Sequence, residues 1–227
     1  MNLYLILIIT LFFIFAISLI YKKRQVTLAT RQETAAIALD ELVVSAIYPC
    51  KEIIYTALDS IVKNDTIDAC KNLRQGSDIL YSLRKKISQP AKNNNQEKEY
   101  LTIYLDYMLE TTNHIAETSR NIVASPNFTT SIANKCEIMT IRDSVADMLT
   151  NFNDTDKLAL TITKASNQKD FLDHIISEHA KVMSHDDFND DTYAYTHLML
   201  LYYINTFISS FRRILRNYSS LPSTSCQ

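Results

Sequence analysis

The run Asp186-Asp187-Phe188-Asn189-Asp190 brings three carboxylates within one helical turn of each other. Carboxylates at that spacing share a face and can clamp a hard cation such as Mg²⁺ that bridges diphosphate oxygens. No second acidic motif follows, and no Asp or Glu occurs beyond Asp191. Standing ahead of an apolar segment, the same residues also suit an acidic loop that caps the last helix and favours its positive N-terminal end. The sequence supports that role better. A second row, Asp170, His174 and Glu178 with His179 adjacent, falls on one helical face at i, i+4 and i+8. Metal binding by His174 and Glu178 requires further donors from other helices; without them the row is a solvated stripe opposite Phe171, Leu172, Ile175 and Ile176.

The spelling of residues 186–190 resembles the aspartate-rich motif of all-α prenyl-diphosphate and terpene synthases. The resemblance covers five residues. It implies a Mg²⁺-dependent enzyme acting on a phosphorylated or lipidic substrate, with Asp186, Asp187 and Asp190 as ligands and the aromatic-rich helix after them lining the pocket. Mg²⁺ belongs to that alternative alone; otherwise no cofactor and no catalytic residue is assigned. His185-Asp186 would serve a phosphohydrolase of the His-Asp type only with a downstream Asp on another helix, and none exists. With Gly76 as the single glycine, neither a phosphate-binding glycine loop nor a nucleophile elbow can be built. The cysteines at 50, 70, 136 and 226 form no CxxC pair, which excludes the usual zinc-ribbon spacing.

The elements that must position these groups are helices. One Gly and four Pro in 227 residues leave too few turn residues for a strand-rich fold. The expected class is all-α: a single N-terminal transmembrane helix followed by a bundle of six to seven helices. Residues 1–24 form the anchor with its basic flank, 25–218 the bundle and 219–227 a flexible tail. From Leu3 to Ile20 the only polar interruptions are Tyr4, Thr10 and Ser18, with no charge. About 20 apolar residues match the ~30 Å hydrocarbon layer, so residues 2–21 are expected to contact the lipid bilayer. A cleaved signal peptide fits less well, lacking a positive n-region and having too long an apolar run. Lys22, Lys23 and Arg24 follow the span, which by the positive-inside rule places the body in the cytoplasm; an extracytoplasmic helical domain is the alternative if the topology is reversed.

Tyr193–Phe211 is the other uncharged stretch, but Thr196, His197, Asn205, Thr206, Ser209 and Ser210 interrupt it. A core helix, apolar nearly all round, is the better reading. In the body, Arg24–Tyr48 is expected to be helical until Pro49 kinks or restarts it. Further helices are expected over 50–62, 66–87, 97–124, 129–152, 154–165, 170–183 and 192–218. Gly76 is a weak point of the third, and 89–96 is the clearest loop. In the segment 97–124, Leu101, Met108, Ile115 and Ile122 occupy one heptad position and Leu105, Thr112 and Ser119 the other. This is a coiled-coil-like seam suited to an intramolecular bundle.

Charge is uneven: residues 63–98 hold eight basic against four acidic side chains, and 143–191 eleven acidic against four basic. A net charge of −2 without a concentrated basic face gives no support to nucleic acid as a partner, and none is expected. The leading functional expectation is a single-pass membrane-tethered helical bundle acting through a protein partner or a homo-oligomer, as adaptor, sensor or assembly component.

Overall fold

The chain is all-α in a computed structural model that describes residues 41–87, 96–125, 132–152, 154–183 and 192–219. The helical architecture belongs to the unit Val43–Gln227, with its first helix already formed at residues 41 and 42. Helix α1 is seen from residue 41 to 63, followed by α2 (Thr66–Ile87), α3 (Gln96–Ala124), α4 (Ile132–Thr150), α5 (Thr155–Met183) and α6 (Thr192–Ser219). Among the described residues there is no strand. The expected anchor over residues 2–21, the acidic run 186–190 and all of the expected loop 89–96 except Gln96, which opens α3, lie outside the described residues. No helix among the described residues is long and apolar enough to cross a membrane, so nothing described supports a span, and α6 is not one.

Helix α1 is built around a stripe with i, i+3, i+4, i+7 spacing: Val43, Ala46, Ile47, Cys50, Ile54, Ala57, Leu58 and Ile61 are all buried. Its neighbours lie on several sides. Ile53 meets α2 at Gly76, Cys50 bonds the Thr112 side chain of α3, and Asp59 pairs with Arg142 of α4. Tyr48 packs edge-on against Phe152.

The expected break at Pro49 is not observed: α1 runs through it without interruption. Proline inside a helix costs about 3 kcal/mol through a lost hydrogen bond and a ring clash. Burial of Ile47 and Cys50 on either side, and of Ile53 and Ile54 a turn further on, offsets that cost, because each buried aliphatic side chain contributes roughly 1.5–3 kcal/mol.

Helix α1 stops at Asn64, whose φ of 57° is left-handed. The Asn64 N–H donates to the Ile61 carbonyl at 3.3 Å and the Asp65 N–H to the Ser60 carbonyl at 3.0 Å. This pair of bonds is the Schellman ending, with Asn in the position that glycine usually takes. The Asp65 carbonyl then accepts the first α2 bond from Ala69, 3.2 Å away.

Helix α5 corrects a second expectation. Two segments, 154–165 and 170–183, are one helix. Nothing between them is Gly or Pro, and the intervening polar residues are accommodated: the Ser166 hydroxyl donates to the Ile162 carbonyl at 3.0 Å, and buried Gln168 accepts from Ser144 of α4 at 2.8 Å. Helix α6 agrees with the expected core helix, since within residues 194–211 only Tyr195 and Tyr202 are exposed. His197, Leu200, Leu201, Ile204, Phe207, Ile208, Phe211, Ile214 and Leu215 form its buried face, while Tyr195 and Tyr202 are exposed. Helix α6 packs against both α3 and α5.

The seam in α3 is buried throughout. Leu101, Leu105, Met108, Thr112, Ile115, Ser119 and Ile122 are at most 2% exposed. The Thr112 hydroxyl is satisfied within its own helix, donating to the Met108 carbonyl at 2.7 Å.

Two predictions follow from the α1 contacts. Gly76 lets α2 approach closely: an added Cβ would lie 3.0 Å from both Cγ1 and Cδ1 of Ile53. Gly76→Ala gains up to about 1 kcal/mol of helix propensity but overpacks the contact, which typically costs 1–3 kcal/mol. The expected result is a net loss of about 1 kcal/mol by thermal unfolding. In an Ile53→Ala background the same change becomes favourable, and additive effects would show that Ile53 is not the obstacle.

The second concerns Cys50, which is fully buried, its thiol pushed up to about 12 by burial against the opposing pull of its Thr112 hydrogen bond. A maleimide attacks as fast as thiolate is available. Native protein is therefore modified at exposed Cys70 and Cys136 but at Cys50 only after denaturation, as mass spectrometry of the labelled peptides will show.

Candidate functional site

Helices α4, α5 and α6 alternate in direction. Contacts between α4 and α5 run from Asp147–Lys164 through Ser144–Gln168 to Glu137–His179, so one sequence ascends as the other descends. The same holds for α5 and α6, through Asp173–Asn205 and His179–His197. The start of α4, the end of α5 and the start of α6 therefore meet at one end of the bundle, and each contributes one ionisable side chain there: Glu137, His179 and His197.

The three side chains face one another. His197 Nε2 lies 3.1 Å from Glu137 Oε1 and His179 Nε2 lies 3.4 Å from Glu137 Oε2. The two imidazole rings are tilted by 30° with centroids 5.1 Å apart. One potential ligand atom from each residue lies within 4.8 Å of the others. Side-chain exposure grades across the set: His197 is 2% exposed, Glu137 19% and His179 32%. The cluster is thus rooted in the interior at α6 and opens to solvent at α5.

The electrostatics favour an ionised carboxylate. Burial alone would raise the Glu137 carboxyl; the hydrogen bond and charge of His197, with those of His179, outweigh it and hold the group below the usual carboxylate range. A carboxylate and two imidazoles constitute the donor set that divalent transition metals select.

The sequence candidates fall differently. His174 and Glu178 are exposed on α5, and Glu178 is paired with Lys181 at 2.7 Å. Their neighbour His179 is the α5 residue that turns into the cluster. Asp186, Asp187 and Asp190 lie outside the described residues. Glu137 and His197 are functional candidates that spacing within one helix does not reveal, since they lie 60 positions apart. A usable signal exists for the histidines all the same. Thr161, Ala165, Gln168 and Leu172 are the buried positions of α5, and His179 follows Leu172 by one heptad. His197 precedes Leu200 and Leu201 on the buried face of α6.

A second feature is a groove of ≈ 680 Å³ between α2 and α3. Its floor is fixed by Arg84, whose Nε and Nη2 donate to the two Asp106 carboxylate oxygens at 2.7 and 3.0 Å, with Glu110 3.7 Å from Nη2. Such a fork is geometrically specific. Tyr81, 73% exposed, stands on the α2 side and Tyr107, 54% exposed, on the α3 side. Tyr100, Ile103 and Tyr107 follow at i, i+3 and i+7, so α3 carries an exposed apolar stripe in addition to its buried seam.

In comparisons with family models, curated proteins and solved structures, nothing matches.

Proposed function

We propose that the protein is a membrane-tethered helical bundle that acts by binding another protein in the groove between α2 and α3. The observation that carries this reading is the exposed stripe Tyr100, Ile103 and Tyr107, with Tyr81 across the groove. A helix whose opposite face already fills the core gains nothing in folding from such residues. Tyrosines beside a fixed arginine are, however, the composition of interface hot spots: large contact area at low entropic cost.

The occupant is an amphipathic helix of a partner protein, with acidic residues flanking its apolar face. Exposed Lys85 and Lys86 give the α2 edge of the groove basic charge, while Asp106 and Glu110 on α3 face Arg84, so an acidic flank of the ligand is met at the α2 edge. Residues 2–21 hold the chain in the bilayer, and Lys22, Lys23 and Arg24 place the bundle on the cytoplasmic side.

The test uses the full-length chain in its own membrane, with a photoreactive residue in place of Tyr107. A distinct protein is expected to cross-link there, and Tyr81→Ala is expected to reduce its recovery about tenfold, the scale of a hot-spot residue. Tyr202→Ala, at another exposed tyrosine on α6, leaves recovery unchanged. Equal recovery from all variants, or adducts containing only further copies of this chain, would refute the partner. Deletion of residues 2–21 is expected to release the protein from the membrane fraction, and retention there would refute the anchor. An impermeant maleimide that labels Cys70 or Cys136 in intact cells would reverse the topology.

A further inference from the structure

We propose that Glu137, His179 and His197 bind a divalent transition-metal ion, zinc by preference, at the end of the bundle where α4, α5 and α6 meet. This site is independent of the α2–α3 groove.

The donor set argues for the metal class. Two imidazole nitrogens and one carboxylate oxygen match zinc, cobalt and their neighbours, whereas Mg²⁺ and Ca²⁺ favour oxygen ligands throughout. The geometry argues for one ion held by all three. Zinc–nitrogen bonds of about 2.0–2.1 Å and zinc–oxygen bonds of about 2.0–2.2 Å in a tetrahedron set neighbouring donors roughly 3.4 Å apart. His197 Nε2 lies 3.1 Å from one Glu137 oxygen and His179 Nε2 lies 3.4 Å from the other. One ligand atom from each of the three residues already lies within 4.8 Å of the others, and gathering them on one ion asks for a shift of the part-exposed His179 ring and of the Glu137 carboxylate.

Position argues against a chance surface cluster. The ligands come from three helices and are positioned by the packing of the bundle, so little ordering remains to be done when the ion arrives. His197 is buried and belongs to the packed face of α6. Binding gives up the hydrogen bonds now made to Glu137: each Nε2 lone pair turns to the ion, and a proton on Nε2 moves to Nδ1 or to solvent. Three protein ligands leave the fourth tetrahedral position open, the arrangement of sites that take a water or an exogenous ligand.

The experiment uses the full-length protein in detergent, stripped with a chelator and titrated with Co²⁺ and then Zn²⁺. Cobalt is expected to bind with a stoichiometry of one, giving the visible absorption of a four-coordinate site, and zinc to displace it and raise the melting temperature. His179→Gln is the decisive variant because its half-exposed ring can be changed without disturbing the core; it is expected to keep the helical circular dichroism and lose at least about tenfold in affinity, the lower end of what perturbing a metal site costs. Glu137→Gln, which preserves shape and removes the anionic donor, is expected to do the same. His174→Gln, on the exposed face of the same helix, leaves affinity unchanged. Absence of cobalt binding by the parent protein would overturn the proposal. So would undiminished binding by His179→Gln, an equal loss in His174→Gln, or a loss that follows Asp186→Ala and Asp190→Ala instead.

Discussion

Ile115→Ala will lower the unfolding free energy by about 3 kcal/mol, within the 2–5 kcal/mol that truncation of a buried aliphatic side chain costs. Ile115 is fully buried at the centre of the α3 seam, with Met108 and Ile122 a heptad away on either side. Truncation forfeits the transfer free energy of the removed carbons and leaves a cavity. The surroundings are poorly placed to collapse into it: Thr112 is tied to the Met108 carbonyl, and a hydroxyl moved into an apolar hole would lose its partner. Tyr107→Ala supplies the contrast, because that side chain stands on the outer face of the same helix; its effect on stability is within about 0.5 kcal/mol. Urea titration measures both, as a shift of midpoint at constant slope. A loss below about 1 kcal/mol for Ile115→Ala would mean that the seam is not the packing centre.

That seam was legible because its signal is local. A seven-residue repeat within one uninterrupted helix fixes a face without knowledge of any partner, and burial of Leu101, Met108, Ile115 and Ile122 follows from it. The same reasoning failed at Pro49 and between 165 and 170. At both places a local preference competed with burial on either side, and burial won. Polar residues in the middle of α5 read as a break, whereas Ser166 bonds its own helix and Gln168 bonds Ser144 of a neighbour. Only the second of those bonds is invisible in the sequence.

The cluster at the bundle end was hidden for a related reason. Periodicity within α5 makes His174 and Glu178 conspicuous, as a row at i and i+4. The residue that matters is His179, one position off that row and one heptad beyond Leu172. Its partners come from helices whose antiparallel neighbours had first to be assigned. A face can be read from one helix; a site needs the pairing of three.

Arg142 illustrates the same limit with a consequence for stability. Arg142→Ala is expected to destabilise the bundle by about 2 kcal/mol, below the 3–5 kcal/mol for breaking a fully buried ion pair. The side chain is only 11% exposed; it donates from Nη1 to Asp59 on α1 at 2.5 Å and from Nε to Asp143 at 2.8 Å. Its guanidinium also lies 5.0 Å from the centroid of the Tyr55 ring. One residue of α4 thereby fixes its register against α1, whose adjoining residues Leu58 and Ile61 are in the core. The loss is moderated because Asp59 keeps Lys63 at 2.6 Å, so the carboxylate is not left alone when the arginine goes. Arg142→Lys will recover little, since an ammonium can neither fork between two carboxylates nor stack on the tyrosine. A double-mutant cycle with Asp59→Asn isolates the pair, with an expected coupling of about 1–2 kcal/mol. Strict additivity in that cycle would mean that Arg142 acts through Tyr55 and its own packing, and that α1 and α4 are held in register by their apolar faces alone.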